Sequence, residues 1–187
     1  MKPFVYRLLV SALALSFAFA GASVARADDT VCRGSLGAKT VVNVIVPDGA
    51  TCTLKGTRVQ GNISVGARAT LKANAVTVNG NIQAEGARAV TVTAGSFVGG
   101  SVQVKQGGSA TLRGATINAD LQFDENRGAV SASDNTIGGN LQAFKNSGGV
   151  TLTGNRISQN LQCKENSPAP TGGGNTAGSK EDQCAGL

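Results

Sequence analysis

Four cysteines are the residues of this chain best suited to chemistry. Cys32 and Cys52 lie 20 positions apart, and Cys163 and Cys184 lie 21 apart. Thiols can ligate a metal, act as nucleophiles or pair as disulfides. A metal centre is disfavoured: there is no Cys-x-x-Cys and no histidine, and zinc sites are built from such groups. An even cysteine count in a chain that begins with an export signal argues against catalytic thiols and for disulfides. Four cysteines allow three pairings.

The carboxylates offer a second chemistry. Parallel β-helix lyases and hydrolases set several acids on one exposed sheet. Here the close set is Asp120, Asp124 and Glu125, with Arg127 and Asp134 nearby. A glycosidase needs two carboxylates at fixed separation in a cleft, and Asp124-Glu125 reads as the start of a solvated loop. Without histidine there is no Ser-His-Asp triad. The many glycines sit between short strands, not between a strand and a helix, so they are coil corners and not phosphate cradles. No catalytic residue, metal or cofactor is expected.

The elements that carry these groups follow a repeat. Val59-Gln60-Gly61-Asn62-Ile63 returns as Val78-Asn79-Gly80-Asn81-Ile82, Val98-Gly99-Gly100-Ser101-Val102, Ile117-Asn118-Ala119-Asp120-Leu121, Ile137-Gly138-Gly139-Asn140-Leu141 and Ile157-Ser158-Gln159-Asn160-Leu161. The leading aliphatic recurs at steps of 19, 20, 19, 20 and 20. A fixed period of this size marks a stack of identical turns. Within each repeat the residues alternate apolar and polar, the sign of strands with one buried face. A second short strand follows, as in Ala69-Thr70-Leu71, Val90-Thr91-Val92 and Val150-Thr151-Leu152. The pattern predicts an all-β solenoid, a single-stranded right-handed parallel β-helix of about seven coils of about 20 residues. Three columns should fill it. They start at Val59, Ile63 and Val65, and Phe123 in the third falls between smaller Val104 and Ala143.

The cysteines fit this frame. Each pair is one coil apart, and neighbouring coils bring Cα atoms within about 4.8 Å, inside disulfide range. In a rod, Cys32–Cys52 with Cys163–Cys184 is the pairing that does not span its length. Each bridge closes a loop worth about 3 kcal/mol on the chain-entropy model. After Cys163, Pro168, Pro170 and Gly172-Gly173-Gly174 predict an irregular cap over 164–187 that does not pair as a strand.

Residues 1–27 read as a secretory signal. Lys2 and Arg7 precede an apolar run from Leu8 to Ala20, and Ala25-Arg26-Ala27 supplies a cleavage site. Residues 28–187 then form one domain, with repeats over about 56–163 and no transmembrane segment. Removing Lys2, Arg7 and Arg26 lowers the formal net charge from +6 to +3. That mild surplus demands no nucleic-acid partner. The expected location is exported, periplasmic or extracellular.

Outward columns are the candidate binding surface. One is Asn62, Asn81, Ser101, Asp120, Asn140, Asn160; the next is Ser64, Gln83, Gln103, Gln122, Gln142, Gln162. A third joins Thr53, Thr70, Thr91, Thr111, Ser131 and Thr151 on the second strand. Such arrays either meet a repetitive ligand, a glycan or even ice, or hydrogen-bond to one another and stabilise the sheet; the second is favoured. Phe144 has outward parity and is the best single exposed apolar contact, unless it packs under a loop. Arg68, Arg88, Lys105, Arg127, Lys145 and Lys164 share their loops with Glu85, Asp124, Glu125 and Glu165, which reads as charge balance.

The Val-x-Gly-Asn-Ile coils resemble those of bactofilins over residues 56–163. That likeness implies a short right-handed β-helix, cytoplasmic or cytoplasm-facing, that polymerises through exposed ends. The chain departs from it by its export signal and terminal cysteines. The ending from Asn160 through Cys163-Lys164-Glu165-Asn166-Ser167-Pro168-Ala169-Pro170-Thr171 to Cys184 resembles that of uncharacterised exported bacterial β-helix repeat proteins with a Cys-capped C-terminal end. This likeness brings no catalytic or binding residues. The expectation is an exported, non-enzymatic structural or binding module of the cell envelope or extracellular space, with a glycan or another envelope component as partner. The alternative is a polysaccharide-acting β-helix enzyme.

Overall fold

The computed structural model describes residues 29–93 and 95–187; the signal sequence, read over 1–27, lies outside them. Among the described residues there is no helix. The chain forms three parallel sheets of nine, eight and seven strands, visited in turn by successive short strands. Each strand inside a sheet pairs with the equivalent strands one turn before and after, as Val98 does with Val78 and Ile117. The fold is a parallel β-solenoid.

The three predicted core columns are in register. Ile82 pairs with Ile63 and Val102, and Phe123 pairs with Val104 and Ala143. Phe123 and the leucines and isoleucines around it are fully buried. Large beside small in adjacent layers lets a narrow interior reach close packing.

The repeat motif has a physical cause. In the Asn column each side-chain oxygen accepts the backbone N–H of its counterpart one turn on: Asn43 from Asn62, Asn62 from Asn81, Asn81 from Ser101, all at 2.8 Å. A Cβ on Gly80 would collide with the Asn62 Oδ1 that makes this bond. Gly61, Gly80, Gly100 and Gly139 each clear the path for the side chain of the turn before.

Three expectations need correction. The solenoid has about eight turns, not seven. Strands Thr40–Val41, Asn43–Val46 and Thr51–Lys55 make turns before the first full motif, and the tail adds another. The tail does pair: Thr171–Gly173 joins Thr151–Thr153, and Ser179–Asp182 joins Asn160–Cys163. Gly172 lies at φ +127°, and a Cβ there would strike the Leu152 carbonyl, so glycine is what permits this pairing. Finally, Thr70 is not in the Thr91 column. Thr91 pairs with Lys72, and Thr70 pairs with Ala89. The predicted alignment was two residues off. A two-residue slip keeps every side chain on its own face, so alternation cannot detect it.

Both disulfides are present, with Cα–Cα separations of 5.5 Å for Cys32–Cys52 and 5.2 Å for Cys163–Cys184. All four cysteines are buried. They are not stacked in register. The ladder partner of Cys163 is Asp182, two residues before Cys184, and a turn from Glu181 to Cys184 folds the second sulfur back over the core. Two disulfides belong to an oxidising compartment, outside the cytoplasm. Replacing the last pair, Cys163→Ser with Cys184→Ser, is expected to cost about 3 kcal/mol. Amide exchange should quicken at Lys180 and stay slow at Val104. An unchanged urea midpoint would sink that prediction.

Candidate functional site: the outer face of the nine-stranded sheet

The predicted surface residues divide between two faces. Gln83, Gln103, Gln122, Gln142 and Phe144 stand on the nine-stranded sheet. Thr91, Thr111 and Thr151 stand on the eight-stranded sheet. One ligand face therefore does not include both sets.

The glutamine column is in register along the whole sheet and ends on Glu181. Its C-terminal half is a closed ladder. Gln122 Nε2 donates to Gln142 Oε1 at 3.0 Å, Gln142 to Gln162 at 2.8 Å, and Gln162 to Glu181 at 2.8 Å. The Ser179 hydroxyl and then the Gln162 amide, both donating to Glu181, hold its carboxyl below the usual range. Stacked amides stabilising the sheet, the favoured reading, describes this half. The N-terminal half differs. Gln83 is exposed and Gln103 half-buried, and neither side chain is hydrogen-bonded within the described residues.

Beside the glutamines runs a second outward column, Glu85, Lys105, Asp124, Phe144 and Lys164. Phe144 is half-buried between Asp124 and Lys164. Depressions of about 220 and 230 Å³ lie on either side of it. Towards the N-terminus, Gly66 stands one turn before Glu85, and Ser64 pairs with Gln83. This loss of side-chain bulk opens a shallow depression of about 480 Å³, bounded by Pro47, Asp48, Glu85 and Lys105.

Asp124, Glu125 and Glu165 share one depression with Lys145 and Lys164, and Asp120 does not line it. Asp120 Oδ1 accepts the Asn140 N–H at 2.7 Å and its Nδ2 at 3.2 Å, so Asp120 is a rung of the asparagine ladder. Glu125 sits in a left-handed corner, where it accepts from Gln106 at 3.0 Å and lies 4.0 Å from Lys145 Nζ. Asp134 lies at another corner, 4.0 Å from Arg113. Gln106, Glu125, Lys145 and Glu165 follow one another along one edge, with Lys145 facing Glu125.

Sequence reasoning missed the most ordered polar groups of all, which are internal. Asn126, Asn146 and Asn166 stack inside one corner, and Asn135, Asn155 and Asn175 inside another. Each set repeats at 20 residues. The signal lies in the sequence as asparagines recurring at the coil period within each corner. Comparison with known proteins adds no relative: no family model, no curated protein and no solved structure matches the chain.

Proposed function

We propose that the chain is an exported, non-enzymatic structural or binding module of the bacterial envelope or extracellular space. The observation that supports this most is the continuity of its hydrogen-bonded ladders. They run inside two corners and along two outward columns, and a disulfide ties each end. The asparagine and glutamine side chains of these ladders are thereby fixed to their neighbours, which makes for a stiff rod with a repetitive polar surface.

The test is a panel of acidic and neutral polysaccharides and purified envelope fractions, incubated with the mature protein and scored for retention and for chain shortening. Retention without shortening is the expected result. The acid to probe is Asp124, because replacing Asp120 removes a rung of the ladder and disturbs the fold. Shortening abolished by Asp124→Ala would make the protein an enzyme and overturn the proposal.

A further inference from the structure

We infer that the outer face of the nine-stranded sheet binds an extended, uncharged polysaccharide lying parallel to the rod axis. This rests on the binding-module reading and specifies its ligand.

The first argument is shape. The depression that begins at Pro47 reaches Lys105, the next runs from Lys105 to Phe144, and the third runs from Phe144 to Glu165. Because they share these residues, they form one strip. At about 4.8 Å per turn, six steps from Pro47 to Lys164 give a length of about 29 Å. A strip this long and shallow suits a linear polymer and not a compact metabolite, which prefers an enclosing pocket. Its glutamines recur once per turn, and an extended pyranose chain advances by a similar rise per sugar.

The second argument is chemistry. The Gln83 and Gln103 amides offer both a donor and an acceptor and are not engaged within the described residues. Sugar hydroxyls both donate and accept, so they match an amide that is free to do either. The Phe144 ring is an apolar patch on a polar strip, the kind of surface on which the C–H face of a pyranose rests. Charge decides against an anionic polymer. Glu85, Lys105, Asp124 and Lys164 alternate in sign along the strip, so a polyuronate or nucleic acid would meet a carboxylate at every second charged position.

Calorimetric titration of the mature protein with neutral linear gluco-, manno- and N-acetylglucosamine oligosaccharides of increasing length tests this, with oligogalacturonate as the acidic probe. At least one neutral series should bind, with affinity rising until the ligand spans the strip. Phe144→Ala should weaken binding roughly ten-fold, and Gln83→Ala with Gln103→Ala by a similar factor. Thr91→Ala with Thr111→Ala, on the other sheet, should leave it unchanged. These side chains face outward, so unaltered melting of each variant separates lost binding from lost folding. Failure of every neutral series, preference for oligogalacturonate, or indifference to Phe144→Ala overturns the inference. If envelope fractions are still retained in that case, the binding-module reading survives. Chain shortening would instead sink the non-enzymatic reading.

Discussion

Asn146→Ala is expected to destabilise the rod by about 4 kcal/mol, far more than any outward substitution. Asn146 is fully buried inside a corner. Its Oδ1 accepts both the backbone N–H of Asn126 at 3.0 Å and that residue's Nδ2 at 2.9 Å. Its own Nδ2 donates to the Phe123 carbonyl at 3.0 Å and to Asn166 Oδ1 at 2.9 Å. Alanine leaves the two Asn126 N–H groups without a partner in a site closed to water. Each orphaned buried donor costs about 1–3 kcal/mol. Gln142→Ala removes rungs of the half-exposed glutamine ladder, where water replaces what is lost, and should cost less than about 1 kcal/mol. Urea unfolding of the two variants beside the parent measures the contrast. Equal midpoints for Asn146→Ala and Gln142→Ala would show that the internal ladder adds nothing beyond what the surface ladder does.

The same ladders explain how the corners turn without Gly in every position. Gln106, Glu125, Lys145 and Glu165 occupy successive turns with φ between +52° and +57°. Left-handed backbone costs a non-glycine residue about 1–2 kcal/mol. The asparagine that follows each of Glu125, Lys145 and Glu165 is the buried ladder residue, so the strained corner is held by the bonds that its neighbour makes. In the N-terminal half these inner positions are Ala87 and Gly107 on one side and Thr57, Val76, Ser96 and Ala115 on the other. The rod therefore changes character along its length, from small corners to amide-filled ones.

Much of this was legible in the residues, and the exceptions have physical reasons. The period and the alternation fixed the solenoid class, the three core columns and which cysteines bond, because a repeat states the same constraint many times. The exact register of the second strand was not legible. Ala69-Thr70-Leu71 and Leu71-Lys72-Ala73 are both apolar-polar-apolar, and only the ladder with Val90-Thr91-Val92 chooses between them. The tail misled because proline and glycine read as breakers, while a terminal strand needs pairing on one side alone. The strip on the nine-stranded sheet was half legible. Its glutamines stood out as a column, but the depression arises from what Ser64 and Gly66 lack.

Phe123→Ala is the second large effect expected, at about 4 kcal/mol, in the range for emptying a buried aromatic site. Phe123 is fully buried, with Val104 on the turn before and Ala143 on the turn after. Neither neighbour has the bulk to fill the space, and the three sheets cannot close without breaking ladders on every side. Phe123→Leu keeps most of the volume and should cost about 1.5 kcal/mol. The site also meets the internal ladder, since the Phe123 carbonyl accepts from Asn146 Nδ2. A cavity beside that bond would let the corner relax, so Phe123→Ala and Asn146→Ala should not add. A double-mutant cycle by urea unfolding should give a coupling of about 1 kcal/mol, with the double variant less unstable than the sum. Strict additivity would mean that core and corner hold each turn independently. That outcome would contradict the picture of a rod whose packing and ladders support one another turn by turn.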